Sequence, residues 1–217
     1  MTSDPTPTAG RLWRGQDAGT RRGEQHERLL RAAAAVVVRV GYAATTAEAI
    51  SREAKMSKAT FYAHFANKEA CFLALLELGA QLALRRVVEA ARDAGDDAAA
   101  RHRAGLGAFL AIVGEEPVAA RAILVDGLNS GPATIARRDE LFTAFAEVMF
   151  QETERGSDVT GGPRFATVYD AQGVVGAVVE LTSRHLRSGK PERLADVQAI
   201  VERLLFGVLV DDVSGLR

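Results

Sequence analysis

Between Thr45 and Lys68 the sequence sets three helix starts close together, and that spacing limits the chain to few architectures. Thr45-Thr46-Ala47-Glu48 matches a capping box, with the Thr45 hydroxyl accepting from the Glu48 amide and the Glu48 side chain reaching back to the Thr45 amide. The helix that follows turns Ala49, Ile50 and Ala54 inward and stops by about Lys55. Ser57 caps a second short helix running through Phe65, in which Phe61 and Phe65 stand four residues apart on one face, and Asn67 caps a third. Two short helices, Thr46 to Ala54 and Lys58 to Phe65, across so tight a turn have the arithmetic of a helix-turn-helix, whose second helix can enter the major groove of DNA.

The rest of the chain also reads as helix. Ala, Leu, Glu and Arg dominate, and no stretch alternates apolar and polar residues long enough to propose a sheet. Leu29, Ala33, Val36, Val37 and Val40 fall on one face of a first helix, and Gly41 stands where a left-handed cap ends it. A long helix from Asn67 carries Phe72, Leu75, Leu76, Leu82 and Val87 until Gly95-Asp96-Asp97. Further helices are expected at about Ala98 to Val113, Pro117 to Leu128, Ala133 to Thr153, Arg164 to Arg187 and Pro191 to Val210, with Arg155 to Gly162 among the breaks. The expected fold is all-α: a disordered arm over residues 1–22, a helix-turn-helix domain over 23–70, and a larger helical domain over 71–217, with the boundary inside the long helix.

Composition excludes several classes. With 47% hydrophobic and 25% charged residues and a net charge of -1, the chain is neither disordered nor fibrous. Its longest apolar runs, Ala32 to Val38 and Ala70 to Leu76, fall far short of the roughly 20 residues that cross a bilayer. Residues Met1 to Thr20 lack the apolar segment of a secretory signal, so a cytoplasmic protein without a membrane partner is expected. The lone cysteine, Cys71, lies in an apolar run and reads as a buried small hydrophobe. His26, His64, His102 and His185 stand apart, and the sequence has no HExxH, CxxC, GxSxG or glycine-rich phosphate loop. No metal site, cofactor or catalytic residue is expected, and the chain reads as no enzyme.

Charge is unevenly spread. Residues 1–70 carry 11 Lys and Arg against 7 Asp and Glu, giving +4, and the remainder carries 16 against 21, giving -5. With Phe61 and Phe65 inward, the second short helix presents Ser57, Lys58, Ala59, Thr60, Tyr62 and His64, and no carboxylate, to its surroundings. The helix start at Asn67-Lys68 adds amides and a cation, which together suit a phosphate. Taken singly, Ser57 and Asn67 also read as caps, and Lys58 and Lys68 as solvated surface.

The order Arg28-Leu29-Leu30, Ala32-Ala33, Gly41-Tyr42, Thr45-Thr46, Ile50, Ala54, Ser57, Thr60-Phe61-Tyr62, His64-Phe65 and Asn67-Lys68-Glu69-Ala70 resembles the tetracycline-repressor (TetR) family of bacterial transcription regulators. The resemblance covers about 45 residues. It implies that Lys58, Thr60, Tyr62, His64 and Lys68 contact DNA, with Thr45 or Thr46 on a phosphate. Lys55 departs from the family pattern, standing where glycine is frequent; a positive φ there costs a lysine about 1 kcal/mol. Ser51 and Met56 stand for a usual Ala and Val. Base readout falls to Lys58, Ala59 and Tyr62, while Arg11, Arg14, Arg21 and Arg22 either enter a minor groove or keep the arm soluble.

Beyond about Leu84 the resemblance is one of architecture. The last helix carries Leu194, Val197, Val201, Leu204 and Val208 on one stripe with Ile200, Leu205 and Leu209 beside it, an apolar face wide enough for two neighbours. The helix before it carries Val174, Val175, Ala177, Val178, Val179 and Leu181. A homodimer through Val174, Val178, Leu181, Val197, Val201, Leu204 and Val208 is expected, its two-fold axis matching a palindromic double-stranded operator. Phe109, Arg121, Phe145, Met149, Tyr169 and Gln172 are candidate walls of a pocket for a small-molecule effector, although aromatics at helical spacing also serve plain packing. The expected function is a repressor released from its operator by that effector; the alternative is an effector-independent all-α DNA-binding protein.

Overall fold

The structure, a computed structural model, describes residues 20–160 and 163–210, and leaves residues 1–19 of the expected arm over 1–22, Arg11 and Arg14 among them, outside the described residues. Two compact units emerge: Met1–Leu82 with Ala111–Thr134, and Ala83–Leu110 with Ile135–Arg217. The sequence-based division after Ala70 differs from this one. The first helical turns beyond residue 70 stay with the first unit because Phe72 packs against Gly127, so closely that a Cβ there would overlap the ring.

In the first unit α1 spans Arg21–Ala44, α2 Ala47–Glu53, α3 Lys58–His64, and α4 begins at Lys68 on its way to Asp93. α6 (Pro117–Leu124) and a 3-10 turn at Asp126–Asn129 complete it, after the C-terminal part of α5 (Ala98–Glu115). The Thr20 hydroxyl caps α1 by accepting from the Gly23 amide at 3.0 Å, so Arg21 and Arg22 form helix rather than arm. α1 buries Leu29, Ala33, Val36 and Val37 of the apolar face read from its periodicity, with Leu30 beside them, while Val40, expected on that face, is exposed. Gly41 interrupts it with φ 77° and ψ 160°, a conformation that L side chains avoid. Ile50, Phe61, Phe65, Phe72 and Leu75 are buried from the following helices.

The second unit holds the rest of α4 and α5, α7 (Pro132–Thr160), α8 (Val168–Ser188) and α9 (Leu194–Val208). α7 continues through the expected break at Arg155. The expected helix start at Arg164 is replaced by a two-residue strand, β1 (Arg164–Phe165), antiparallel to β2 (Leu209–Val210), with Phe165 opposite Leu209. This is the one pair of strands among the described residues, too short to carry an alternating pattern. The start of α8 is set at Thr167, whose amide donates to the Asp170 carboxylate at 2.8 Å in a capping box. Gly189, at φ 67°, closes the other end.

The core of this unit is Leu110, Ala146, Phe165, Ala171, Val174, Val197, Val201 and Leu205. Three residues expected at a dimer interface, Val174, Val197 and Val201, are therefore interior to the protomer, and an interface through them is corrected: burying them against α5, α7 and β1 leaves them nothing to offer a partner. Val178 and Leu181 are half-buried against the same core. Leu204 and Val208 remain exposed, at the edge of the same α9 stripe that buries Val201 and Leu205.

Candidate nucleic-acid interface

The first unit builds an exposed α3 from local capping. Ser57 Oγ accepts from the Thr60 amide at 3.0 Å and lies 2.9 Å from the Thr60 hydroxyl, so two of the expected contact residues preorganise the helix start. Phe61 is wholly buried and Phe65 nearly so, which fixes the roll of the helix about its axis. Ser57, Lys58, Ala59 and Tyr62 consequently face outward, Tyr62 with 55% of its surface exposed. A large aromatic left that open is available to stack on or against a nucleic-acid partner. Lys58 is exposed too, and its ammonium rests 3.3 Å from the Glu48 carboxylate of α2. An exposed pair of this kind contributes under about 1 kcal/mol and yields readily to a phosphate.

One expected cap and three expected contacts need correction. Thr46, not Thr45, caps α2, accepting from the Ala49 amide at 3.1 Å, and no reciprocal box with Glu48 forms. Thr45 is buried and donates to the Gly41 carbonyl at 2.8 Å, because the chain leaving Gly41 needs its carbonyl satisfied there. His64 is half-buried toward α1, 3.4 Å from the Gln25 amide oxygen and with its ring 5.7 Å from that of His26. Burial and the neighbouring Arg22 push its pKa down, so it favours the neutral form. The Lys68 ammonium donates to the carbonyls of Tyr42, Ala43 and Thr45 at 3.0, 3.1 and 2.9 Å and sits over the Tyr42 ring. All three of its protons are spent at the end of α1, which leaves none for a phosphate.

Sequence reasoning missed a related device. Arg28 donates to the Ala54 carbonyl at 2.6 Å at the end of α2, and Arg22 to the Ala63 carbonyl at 3.3 Å at the end of α3. Short helices leave a large share of their carbonyls without intrahelical partners, and long cationic side chains from α1 and α4 supply them. The available signal was the arginine content of α1, which exceeds the carboxylates within reach at i±3 and i±4. Ser51, a departure from the family pattern, is buried with its hydroxyl donating to the Ala47 carbonyl at 2.7 Å, and so is accommodated.

Residues 29–75 match the model of a family described as bacterial regulatory proteins, tetR family. The chain carries a tetR-family domain. Among solved structures it is similar to the fatty acid degradation regulator FadR from Bacillus halodurans, with 16% identity, 91% of this chain and 99% of that chain covered, and a TM-score of 0.72. A TetR-like transcriptional regulator from Rhodococcus sp. RHA1 shares 22% identity over 84% of this chain and 93% of its own, with a TM-score of 0.63. The Thermus thermophilus FadR, a TetR family transcriptional repressor solved in complex with lauroyl-CoA, shares 22% identity over 88% of this chain and 98% of its own, with a TM-score of 0.61. No curated protein matches the chain in sequence. TetR-family regulators are DNA-binding transcription factors and not enzymes.

The expected pocket residues do not assemble as one wall. Phe109 and Met149 pack on the core of the second unit, and Phe145 and Gln172 are half-buried there. Arg121 belongs to the first unit, where its Nε lies 3.1 Å from the Asp126 carboxylate. Tyr169 is 75% exposed, one turn before Gly173 on α8, and lines no interior of the protomer. Among the described residues no helix is long and apolar enough to cross a membrane, and no cluster of His, Cys, Asp and Glu fits a metal ion.

Proposed function

We propose that two copies of this chain form a repressor that sets paired α3 helices in successive major grooves of a palindromic operator and leaves it when a small, largely apolar effector binds the second unit. The observation that carries the reading is the α3 face itself: Ser57, Lys58, Ala59 and Tyr62 outward, anchored by Phe61 and Phe65. Support for two copies comes from α8 and α9. Leu204, Val208 and Tyr169 are exposed, and Gly173, Gly176 and Gly207 have open space where a Cβ would stand. Small residues beside exposed apolar ones let a second pair of helices approach closely, and isologous dimers are the commonest oligomers. The half-buried Phe109, Phe145, Met149 and Gln172 remain the effector candidates.

The likeness to a FadR solved with lauroyl-CoA makes an acyl-CoA the first effector to test. The experiment is to select operator sequences from random duplexes and then titrate lauroyl-CoA against the complex by fluorescence anisotropy. Selection of a palindrome, with half-sites about one helical turn apart, and its release by the thioester support the proposal. A typical coupling of about 1 to 3 kcal/mol weakens operator binding roughly 5- to 150-fold, and operator must weaken lauroyl-CoA by the same factor. Equal affinity of lauroyl-CoA for free and operator-bound protein refutes its role as inducer, and selection of no duplex refutes the reading as a whole.

A further inference from the structure

The turn between α2 and α3 holds the one described non-glycine residue with positive φ, Lys55 at 54°. Its surroundings form a complete left-handed helix ending. The Lys55 amide donates to the Arg52 carbonyl at 3.1 Å and the Met56 amide to the Ser51 carbonyl at 2.8 Å, the two bonds of a Schellman motif around the cap residue Ala54. Glycine is the usual occupant of the left-handed position in that motif, because a Cβ crowds the neighbouring carbonyl. A lysine held there is a strained backbone whose side chain needs another reason to be present.

The charges nearby supply that reason. Of the cations between the start of α2 and the start of α4, Lys58 is paired with Glu48 and Lys68 is consumed by three carbonyls. Arg52 and Lys55 are exposed and have no partner among the described residues. Arg52 occupies the last turn of α2, where the helix dipole already favours a cation. Lys55, one residue past the α2 C-cap, shares that field but bears the strain of its positive φ. In a helix-turn-helix the first helix crosses the DNA backbone and the second points its N-terminus into the groove, so the turn joining them runs along the backbone at the lip of the groove. Lys55 stands two residues before the N-cap of α3.

We infer that Lys55 is a phosphate-contacting residue of this protein's DNA interface, supplying from the turn the clamp that Lys68 does not. The inference rests on the reading that α3 enters duplex DNA.

Lys55→Gly, Lys55→Asn and Lys55→Arg, alongside the parent, decide it, using a 30-base-pair duplex of mixed sequence, since a phosphate contact acts on all sequences alike. In the glycine and asparagine variants, affinity at low salt should fall about fivefold and the slope of log K against log salt should shrink by about 0.9, while the arginine variant keeps both. The glycine variant should also unfold at a urea concentration at least as high as the parent's, since it relieves the backbone. A role confined to structure moves stability and binding together; this one moves them apart. If the parent binds and the glycine variant matches its affinity and slope, or loses stability and binding alike, the inference fails while the α3 reading stands. If the parent itself binds no duplex at low salt, the α3 reading fails first.

Discussion

Replacing Lys68 by methionine keeps the stem of the side chain and removes only the ammonium, which separates its two possible employments. In the structure that ammonium holds the carbonyls of Tyr42, Ala43 and Thr45 at 2.9 to 3.1 Å and lies 4.7 Å from the centre of the Tyr42 ring. One hydrogen bond to a charged group contributes about 1.5 to 3 kcal/mol net, and a cation over an aromatic ring about 0.5 to 1 kcal/mol at a partly exposed site. The three bonds share one desolvated ammonium and do not add in full, so Lys68→Met should cost about 2 to 4 kcal/mol. At about 2 to 4 °C per kcal/mol for a chain of this size, the melting point falls by roughly 4 to 16 °C. Urea unfolding followed by helical ellipticity, at one fixed protein concentration, reads the first quantity, and a salt titration of duplex binding reads the second. Lower stability with an unchanged salt slope is the expected result. Parent-like stability with a slope smaller by about 0.9 would mean that a phosphate is the true partner of the ammonium and would refute the staple.

Acid should destabilise the protein. His26, His64 and His102 are pushed below the ordinary histidine value of about 6.5, each chiefly by burial, with His26 further depressed by His64 and Arg22. The unfolded chain therefore binds more protons below that value, and stability, full above pH 6.5, drains as pH falls toward the depressed values. Urea midpoints at pH 7.5 and 5.5 should show this, with a smaller drop in His26→Gln. Leu204→Glu should leave helicity intact but give monomers by sedimentation and weak operator binding, whereas Val201→Asp, at an interior site, should cost more than about 4 kcal/mol and lose the fold. A Leu204→Glu dimer would overturn the α8–α9 interface. Cys71 is buried with its pKa pushed up to about 12, so a thiol reagent at pH 8 should modify it only after denaturant is added.

The parts of this protein written in periodicity and capping were legible before any coordinates. The inward face of α1, the Ser57 and Asn67 caps, and the pairing of Phe61 with Phe65 are local, and a local pattern needs no knowledge of what packs against it. Lys55 at positive φ was legible only through the family resemblance, which places glycine there. What was not legible depended on which of two neighbours a side chain meets. Nothing in the sequence separates a lysine that clamps a phosphate from one that closes the end of another helix 25 residues away. On α9, Val201 and Leu204 are three residues apart and equally apolar, and only the position of α8, β1 and α5 turns the first inward and leaves the second out. Tyr169 misled by composition, since an aromatic fits a pocket and a subunit interface equally well.

The carbonyl-capping cations of the first unit also bear on how such a protein finds its site. Arg22, Arg28 and Lys68 count in the charge total of residues 1–70, yet each is already engaged with backbone oxygen, and Arg39 is engaged with a carboxylate. Long-range attraction to a polyanion follows net charge, but tenacious retention on arbitrary sequence follows the number of phosphates neutralised in contact. With few of the described cations at liberty, residence on any one stretch of bulk DNA would be brief under the proposed reading, and the millions of competing sites of a genome would titrate away little of the protein. On the proposed reading, a search conducted this way would be short-lived at each stop, so even a small number of dimers would visit the whole chromosome quickly and be held only where α3 fits the groove.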